Sequence, residues 1–137
     1  MNILIVESRY HPDVANALVD GATSALEKGG AQFERMAMPG LLEIPAAIAI
    51  ALRSPRPFDG YVALGSATGP LGQMFYAETL HGLMALSTAG VALGSGIVLA
   101  SDEGTGHDIA TRQDIGGDAA RACLALITFG ERLGYMP

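Results

Sequence analysis

The chain of 137 residues has no tryptophan and only one cysteine, Cys123. A lone cysteine cannot form an internal disulfide, and its place in an alanine-rich apolar segment predicts a buried thiol rather than a reactive one. Half of the residues are hydrophobic, but no apolar run reaches the roughly 18–20 residues that a membrane span needs. The length is that of one domain, residues 1–137, and the cysteine usage favours a cytoplasmic location.

Basic residues are also few, which argues against several classes of partner. The formal net charge is −6, which disfavours binding to nucleic acid or to anionic membranes. The N-terminal residues MNILIVE lack both the basic region and the cleavage site of a secretory signal. No cluster of cysteine and histidine has metal-ligand spacing, so no metal is expected. An anionic substrate would need local positive groups in this acidic chain.

Strand and helix patterns alternate along the chain. Apolar runs predict strands at residues 2–7, 32–38, 61–66 and 91–100, and the first has the continuous hydrophobic character of a buried parallel strand. Helices are predicted from Asp13 to the glycine pair 29–30, at 43–52, at 73–88 and from about 117 to 133. The stretch after the fourth strand is rich in Asp, Gly and Thr and is predicted to be a loop. This alternation is typical of a parallel sheet covered on both faces by helices.

In a sheet of this kind, ligands bind beyond the carboxyl ends of the strands, where the strand order reverses. The loops expected there are residues 8–11, 38–43, 66–72 and 100–107. Any pocket must be built from these loops, whichever ligand it holds. In the second loop, Pro39-Gly40 lets the backbone approach a ligand closely, and the N–H groups that follow lie at a helix N-terminus.

Two of these loops carry motifs that resemble the lumazine synthase family. The first motif is SRY at residues 8–10, and the second is MPG at 38–40 followed by LEIPAA at 42–47. Further matches lie at 63–65 and 116–126. The resemblance implies a three-layer α/β/α fold of the flavodoxin-like kind, with a four-stranded parallel sheet in the order 2-1-3-4.

The resemblance also implies an activity. Lumazine synthases condense 5-amino-6-(ribitylamino)uracil with 3,4-dihydroxy-2-butanone 4-phosphate in riboflavin biosynthesis, without a cofactor or a metal. Their sites are shared between neighbouring subunits. A heterocyclic small-molecule ligand and self-association into a homopentamer are therefore expected for this chain.

On this resemblance, the first loop binds the aromatic part of the substrate. Tyr10 matches the family's aromatic residue, which stacks on the pyrimidine ring. Without the other motifs, packing at a loop edge would be the simpler interpretation of this tyrosine. His11 stands at the family's asparagine and either hydrogen-bonds the ribityl chain or is solvated. Arg9 is expected to pair with an acid and hold the loop.

The second loop is expected to bind the ribityl hydroxyls. The resemblance assigns this contact to the backbone of Gly40, Leu41 and Leu42 and to the side chain of Glu43. An ordinary first-turn acid, stabilised by the helix dipole, is the alternative interpretation of Glu43, and the two roles are compatible.

The third loop departs from the family pattern. The candidate substrate-binding residues that remain are Ser66, Ala67, Thr68 and Gly69, of which Thr68 and Gly69 are the candidates for a phosphate contact. The loop is shortened and has no arginine, and Leu71 stands where the family's catalytic histidine falls. His81 lies roughly two helical turns further on and is expected on a helix surface or at an interface.

The fourth region departs as well. Ile115 replaces the family's lysine, and Arg112 or His107 is a candidate substitute for its arginine. Ile97 belongs to a strand whose backbone, in the family, closes over the ligand of a neighbouring subunit. Since the family histidine is absent, no catalytic residue is assigned, and His11 and His107 are the remaining candidates. The sequence favours a synthase with reduced activity; the alternative is a non-catalytic lumazine- or flavin-binding paralogue or an assembly subunit.

Overall fold

The computed structural model describes residues 1–56 and 58–135. In chain order, the elements are β1 (Asn2–Ser8), α1 (Pro12–Lys28), β2 (Gln32–Met38), α2 (Glu43–Leu52), β3 (Gly60–Ala67), α3 (Gly72–Thr88), β4 (Leu93–Leu99), α4 (Glu103–Arg112) and α5 (Ile115–Arg132). The predicted alternation of strands and helices is confirmed, and α4 is present in addition.

In the described part of the chain, four strands form one parallel sheet in the predicted order β2-β1-β3-β4. Ile3 of β1 pairs with Phe33 of β2 on one side and with Gly60 of β3 on the other. Strands β1 and β3 are almost fully buried, which explains the continuous apolar runs in their sequences. The strand order reverses between these two strands, so their carboxyl ends flank the expected ligand position.

Helices cover both faces of the sheet. Successive side chains of a strand point to opposite faces, so β1 supplies two cores. Ile3 and Ile5 join the core under α1 and α5, whereas Leu4 and Val6 join the core under α2 and α3. Each of these side chains is at most 5% exposed, and burying one stabilises the fold by about 1.5–3 kcal/mol. The layers are helix, sheet and helix, as the resemblance implied.

Glycines allow α5 to lie very close to its neighbours. A Cβ atom at Gly94 of β4 would lie 1.7 Å from the carbonyl oxygen of Ala119, and one at Gly116 would lie 1.9 Å from the carbonyl oxygen of Leu18. Neither position has room for any side chain. The backbones of β4, α5 and α1 are therefore in direct contact at these two points.

The prediction of a loop after the fourth strand is wrong over residues 103–112. Helix α4 forms there because Asp102 caps it, with its side chain accepting a hydrogen bond of 2.7 Å from the N–H of Thr105. Its buried face consists of small residues, Gly106 and Ala110, and Gly106 lies against Val14 of α1. Small residues of this kind do not produce the apolar periodicity by which a helix is recognised in a sequence. Tertiary packing outweighs the low helix propensity of glycine here.

Several element boundaries also differ from the prediction, and the largest shifts are at the starts of α5 and β4. Helix α5 begins at Ile115 rather than near Gly117, because Asp114 adopts a left-handed conformation (φ 48°, ψ 50°) and its side chain accepts a hydrogen bond from the N–H of Gly117. Strand β4 is shorter than predicted and runs from Leu93 to Leu99. These shifts leave the order of elements unchanged.

Cys123 of α5 is buried, as predicted. Its Sγ lies 3.6 Å from the carbonyl oxygen of Ala92 and donates a weak hydrogen bond to it. Burial raises the pKa of this thiol to about 12, so the group stays protonated and unreactive at neutral pH. Among the described residues, no helix is long and apolar enough to cross a membrane.

Candidate active site

A cavity of about 340 Å³ opens at the carboxyl ends of the central strands. Its walls come from the ends of β1 and β3, the loop before α2 and the first turn of α3. The lining residues are Ser8, Tyr10, His11, Gly40, Leu41, Leu42, Glu43, Ser66, Ala67, Thr68 and Phe75. The cavity lies where the strand order predicts a ligand to bind, and its volume lies at the small end of the range for ligand pockets.

An ion-pair cluster around the buried carboxylate of Glu7 holds the loop that follows β1. The carboxylate of Glu7 is paired with Arg9 through an Nη1–Oε1 distance of 2.5 Å and with Arg35 of β2 through an Nε–Oε2 distance of 3.0 Å. Arg9 also donates to the side-chain oxygen of Asn16 on α1. The prediction that Arg9 pairs with an acid and holds the loop is confirmed. The two arginines are engaged by Glu7 and do not line the cavity.

His11 bridges the first and third loops. Its Nδ1 lies 3.0 Å from Ser66 Oγ, and its Nε2 lies 3.0 Å from Thr68 Oγ1. Both ring nitrogens are therefore hydrogen-bonded to hydroxyl groups of β3 and the turn after it. The imidazole is half-buried in the cavity wall, which contradicts the alternative of a fully solvated loop histidine.

Tyr10 stands at the rim with most of its ring free. Its side chain is 76% exposed, and the ring meets His11 edge-on, with centroids 4.9 Å apart and an interplanar angle of 84°. An edge-to-face pair of this kind fixes the ring orientation and leaves a face open. The geometry suits stacking on a flat ligand.

The start of α2 forms the opposite wall. Leu42 is the N-cap and has no side-chain cap, so first-turn N–H groups have no side-chain partner there. Leu41 is buried beneath the cavity, while Leu42 and Glu43 are exposed. A Cβ atom at Gly40 would lie 3.1 Å from Glu43 Oε1, so the glycine leaves space for that carboxylate. This wall offers hydrogen-bond donors and one acceptor to polar groups of a ligand.

The charges in the cavity are few. The described lining residues include no lysine or arginine, and the titratable side chains among them are His11, Tyr10 and Glu43. The polar contacts available to a ligand are mostly hydroxyls and backbone groups. Within one subunit the described lining therefore offers hydroxyl and backbone contacts without a cationic side chain.

Most of the predicted binding residues come together in this cavity, but three do not line it. Gly69 lies in the turn beyond it with φ +80°, Ile97 is buried in the core of α2 and α3, and Arg112 is exposed at the end of α4. Ser8 lies in a loop that was predicted to build the pocket, although no ligand contact was assigned to it, and Phe75 was not predicted at all. Phe75 is an exposed aromatic residue in the first turn of α3. Its position directly after the third loop could have indicated that it lines the pocket.

His107 belongs to a different region of the surface. It lines an acidic depression with residues of the α4 N-terminus and α1, namely Asp13, Asp102, Glu103, Gly104, Thr105 and Asp108. The expectation that residues 100–107 join the same pocket as the other loops is therefore wrong for a single subunit. His81 is exposed on α3 and lines neither cavity. In the described residues, no group of three or more His, Cys, Asp or Glu side chains is placed to hold a metal ion.

A parallel flavodoxin-like sheet with a cavity at the carboxyl ends of β1 and β3 defines an α/β protein with a small-molecule site. A sequence model of the 6,7-dimethyl-8-ribityllumazine synthase family matches residues 1–131. The chain is 41% identical to the 6,7-dimethyl-8-ribityllumazine synthase of Sphingopyxis alaskensis, over 97% of each chain. It is also 41% identical to 6,7-dimethyl-8-ribityllumazine synthase 1 of Mesorhizobium japonicum, over 97% of this chain and 87% of that protein. It is 40% identical to the 6,7-dimethyl-8-ribityllumazine synthase of Novosphingobium aromaticivorans, over 94% of this chain and 96% of that protein. The chain belongs to the 6,7-dimethyl-8-ribityllumazine synthase family.

Proposed function

We propose that this protein is a lumazine synthase of riboflavin biosynthesis, acting as one domain over residues 1–137. It condenses 5-amino-6-(ribitylamino)uracil with 3,4-dihydroxy-2-butanone 4-phosphate, and the products are the lumazine, two water molecules and one phosphate. The observation that carries the proposal is the convergence of the two family-like segments, 8–10 and 40–43, on one cavity.

The pyrimidine substrate occupies the better-preserved side of the cavity. Tyr10 stacks on the heterocycle, and the free ring face of this residue supports that role. The ribityl hydroxyls meet the backbone of Gly40, Leu41 and Leu42 and the carboxylate of Glu43. Glu43 also gains from its place in the first turn of α2, because a helix N-terminus stabilises a negative charge.

The phosphorylated ketone binds near Ser66, Ala67, Thr68 and Gly69 at the end of β3. Within one subunit this end has hydroxyls but no lysine or arginine among its described lining residues. Hydrogen bonds to a charged group are each worth about 1.5–3 kcal/mol, so two missing cations weaken this substrate by several kcal/mol. In the proposed assembly, Arg112 of a neighbouring subunit supplies one of these cations, and the backbone at Ile97 of a neighbouring subunit closes over the heterocycle.

The reaction needs neither a cofactor nor a metal. Both reactants are intrinsically reactive, and holding them together supplies up to about 7–11 kcal/mol of the barrier in ideal cases. A weak phosphate contact therefore gives a slower enzyme with a raised KM for the ketone.

We further propose that the protein works as a cytoplasmic homopentamer with sites shared between subunits. Exposed apolar side chains on α2 and α3, including Ile50, Met74 and Met84, provide surface for contact between copies. The net charge of −6 supports the expectation that nucleic acids and anionic membranes are not partners. Light scattering at micromolar concentration tests the assembly, and a monomeric mass contradicts it.

A second candidate function is a lumazine- or flavin-binding paralogue without synthase activity. The observation in its favour is the absence of arginine and lysine from the described cavity lining, combined with a well-formed pyrimidine side. Such a protein would bind the heterocycle and leave the ketone phosphate unbound.

Lumazine formation, followed by absorbance with both substrates present, separates the two functions. We expect a rate clearly above that of the substrates alone, with a high KM for the ketone phosphate. His81→Asn serves as a matched control, because His81 is exposed on α3 and lines neither cavity. A rate equal to the uncatalysed one, together with calorimetric binding of riboflavin, would instead establish the binding paralogue.

A further inference from the structure

We propose that His11 is the proton-transferring residue of this site and that Ser66 and Thr68 orient it. The inference rests on the proposed synthase function and adds a catalytic residue to it. Its basis is the pair of hydrogen bonds at 3.0 Å that join Nδ1 to Ser66 Oγ and Nε2 to Thr68 Oγ1.

The two hydroxyl partners allow His11 to change its protonation state without moving. A hydroxyl group donates one hydrogen bond and accepts others, and its hydrogen rotates freely. In either neutral tautomer, one ring nitrogen donates to a hydroxyl and the other accepts from one. In the imidazolium, both nitrogens donate, and both hydroxyl oxygens accept. All three states keep the same heavy-atom positions, so a proton can be gained or lost without reorganising the ring.

The histidine also lies where substrate would be. His11 lines the cavity between Tyr10, which carries the free ring face, and Thr68 at the end of β3. Of the three histidines in the chain, it lines this cavity, whereas His107 lines the acidic depression at α4 and His81 lines neither. The site therefore has its histidine on the first loop, where the sequence resemblance placed a binding residue.

The other charged groups near the cavity are engaged elsewhere. Arg9 and Arg35 pair with Glu7 and do not line the cavity, and Glu43 stands at the start of α2. Tyr10 is the remaining titratable neighbour of the ring. Histidine is the side chain most often used for proton transfer near neutral pH. Among these groups, His11 has a hydrogen bond at each ring nitrogen, which holds the ring in place for proton transfer.

The proton balance of the first step is simple. The aromatic amine nitrogen forms a bond to the ketone carbon while the C=O π bond breaks, which leaves an alkoxide and two protons on the nitrogen. One N–H proton passes through the Thr68 hydroxyl to His11 Nε2 and is returned to the alkoxide, which becomes a hydroxyl. The second N–H proton follows the same route to that hydroxyl, the C–O bond breaks, and water leaves as the C=N bond of the imine forms. The histidine ends the step in its starting state.

The test compares His11→Asn with wild type in the intact protein, with lumazine formation measured from pH 5.5 to 9. We expect kcat to fall by about 10²–10⁴-fold, the pH dependence of kcat to flatten, and the KM for the pyrimidine to change little. Ser66→Ala should give a smaller loss of kcat, because the ring keeps its bond to Thr68. His81→Asn should match wild type.

A second variant guards against a folding defect. His11→Ala should be rescued in part by added imidazole, an effect that a purely structural histidine would not show. If wild type forms lumazine and His11→Asn keeps its kcat and pH profile, the role of His11 is overturned and the synthase function stands. A change confined to KM overturns it as well. Failure of wild type to exceed the uncatalysed rate overturns both proposals.

Discussion

Arg35 of β2 donates from Nε to the carboxylate of Glu7 on β1 at 3.0 Å, on the same face of the sheet as the α1–α5 core. The Glu7 side chain is only 3% exposed, and its second oxygen is taken by Arg9. A buried carboxylate at the end of β1 thus joins β2 to the loop that carries Tyr10 and His11.

Glu7→Gln should destabilise the protein by about 1–3 kcal/mol, because hydrogen bonds to a charged group are worth this much when one partner is buried. Urea denaturation of wild type and variant gives the free energies of unfolding. The variant should also bind riboflavin less tightly, since the loop loses its anchor.

The matched control is Glu34→Gln, which removes the ion pair between Glu34 and Arg56. The side chains of that pair are 42% and 70% exposed, and an exposed pair contributes about 0–1 kcal/mol. Equal losses of stability in the two variants would show that the burial of Glu7 does not make its ion pairs more stabilising than an exposed pair.

Replacing Tyr10 separates binding from stability. The side chain is mostly exposed, so Tyr10→Ala should change the free energy of unfolding by no more than about 0.5 kcal/mol. It should weaken riboflavin binding by about 0.5–1.5 kcal/mol beyond the lost area, the usual range for aromatic pairs. Tyr10→Phe keeps the ring and should keep the affinity. Calorimetry on the three proteins decides the matter, and equal affinity in Tyr10→Ala removes the ring from the site.

Gly94→Ala should be severely destabilising. The new Cβ would collide with the carbonyl oxygen of Ala119, so β4 and α5 must move apart, at a cost of about 3 kcal/mol or more. The control Gly104→Ala lies in the first turn of α4, where the nearest atom to a Cβ would be 3.6 Å away. That change should stabilise the protein by about 0.5 kcal/mol through helix propensity. Thermal unfolding measures both, and similar midpoints would contradict the close contact between β4 and α5.

The buried thiol of Cys123 predicts a loss of stability in alkaline solution. Its pKa rises from an ordinary value of 9.0 to about 12 on folding, so between these values the unfolded chain has lost a proton that the folded chain keeps. The unfolded state binds fewer protons, and stability falls with rising pH by about 1.4 kcal/mol per pH unit in this window. Well below pH 9 both states keep the thiol proton, so the thiol does not make the free energy of unfolding depend on pH.

Urea denaturation at pH 8, 9, 10 and 10.5 tests this against Cys123→Ala. Burial also raises the pKa of Tyr61, but that group titrates in both proteins, so the difference in slope belongs to Cys123. We expect the free energy of unfolding of wild type to fall relative to that of the variant as pH rises above 9. Parallel pH profiles would show that the thiol is not protected by the fold.

The sequence predicted the sheet well because the strands carry strong signals. The runs at β1 and β3 are buried on both faces and are therefore continuously apolar. Helix α4 was missed for the opposite reason: its buried residues, Gly106 and Ala110, are too small to give a hydrophobic period. Propensity and pattern both favoured a loop there, and packing against α1 decided otherwise.

The candidate site was predictable only in part. Tyr10, Glu43 and their neighbours were found because local motifs mark them. The partners of His11 were not, since Ser66 and Thr68 lie 55 and 57 positions away along the chain. Such contacts depend on how the strands are ordered, and no local pattern encodes them.

The bridge from His11 to Ser66 has a consequence for how ligands act on the whole chain. The walls of the cavity come from separate segments that meet only after β1 and β3 have paired. The unfolded chain therefore has no binding site for the ligand. Any ligand of this cavity is then a ligand of the native state alone, and mass action raises the free energy of unfolding by about 2.7 kcal/mol at a hundredfold excess over Kd. A ligand of the cavity would thereby also lower the fraction of molecules that is unfolded and open to proteolysis.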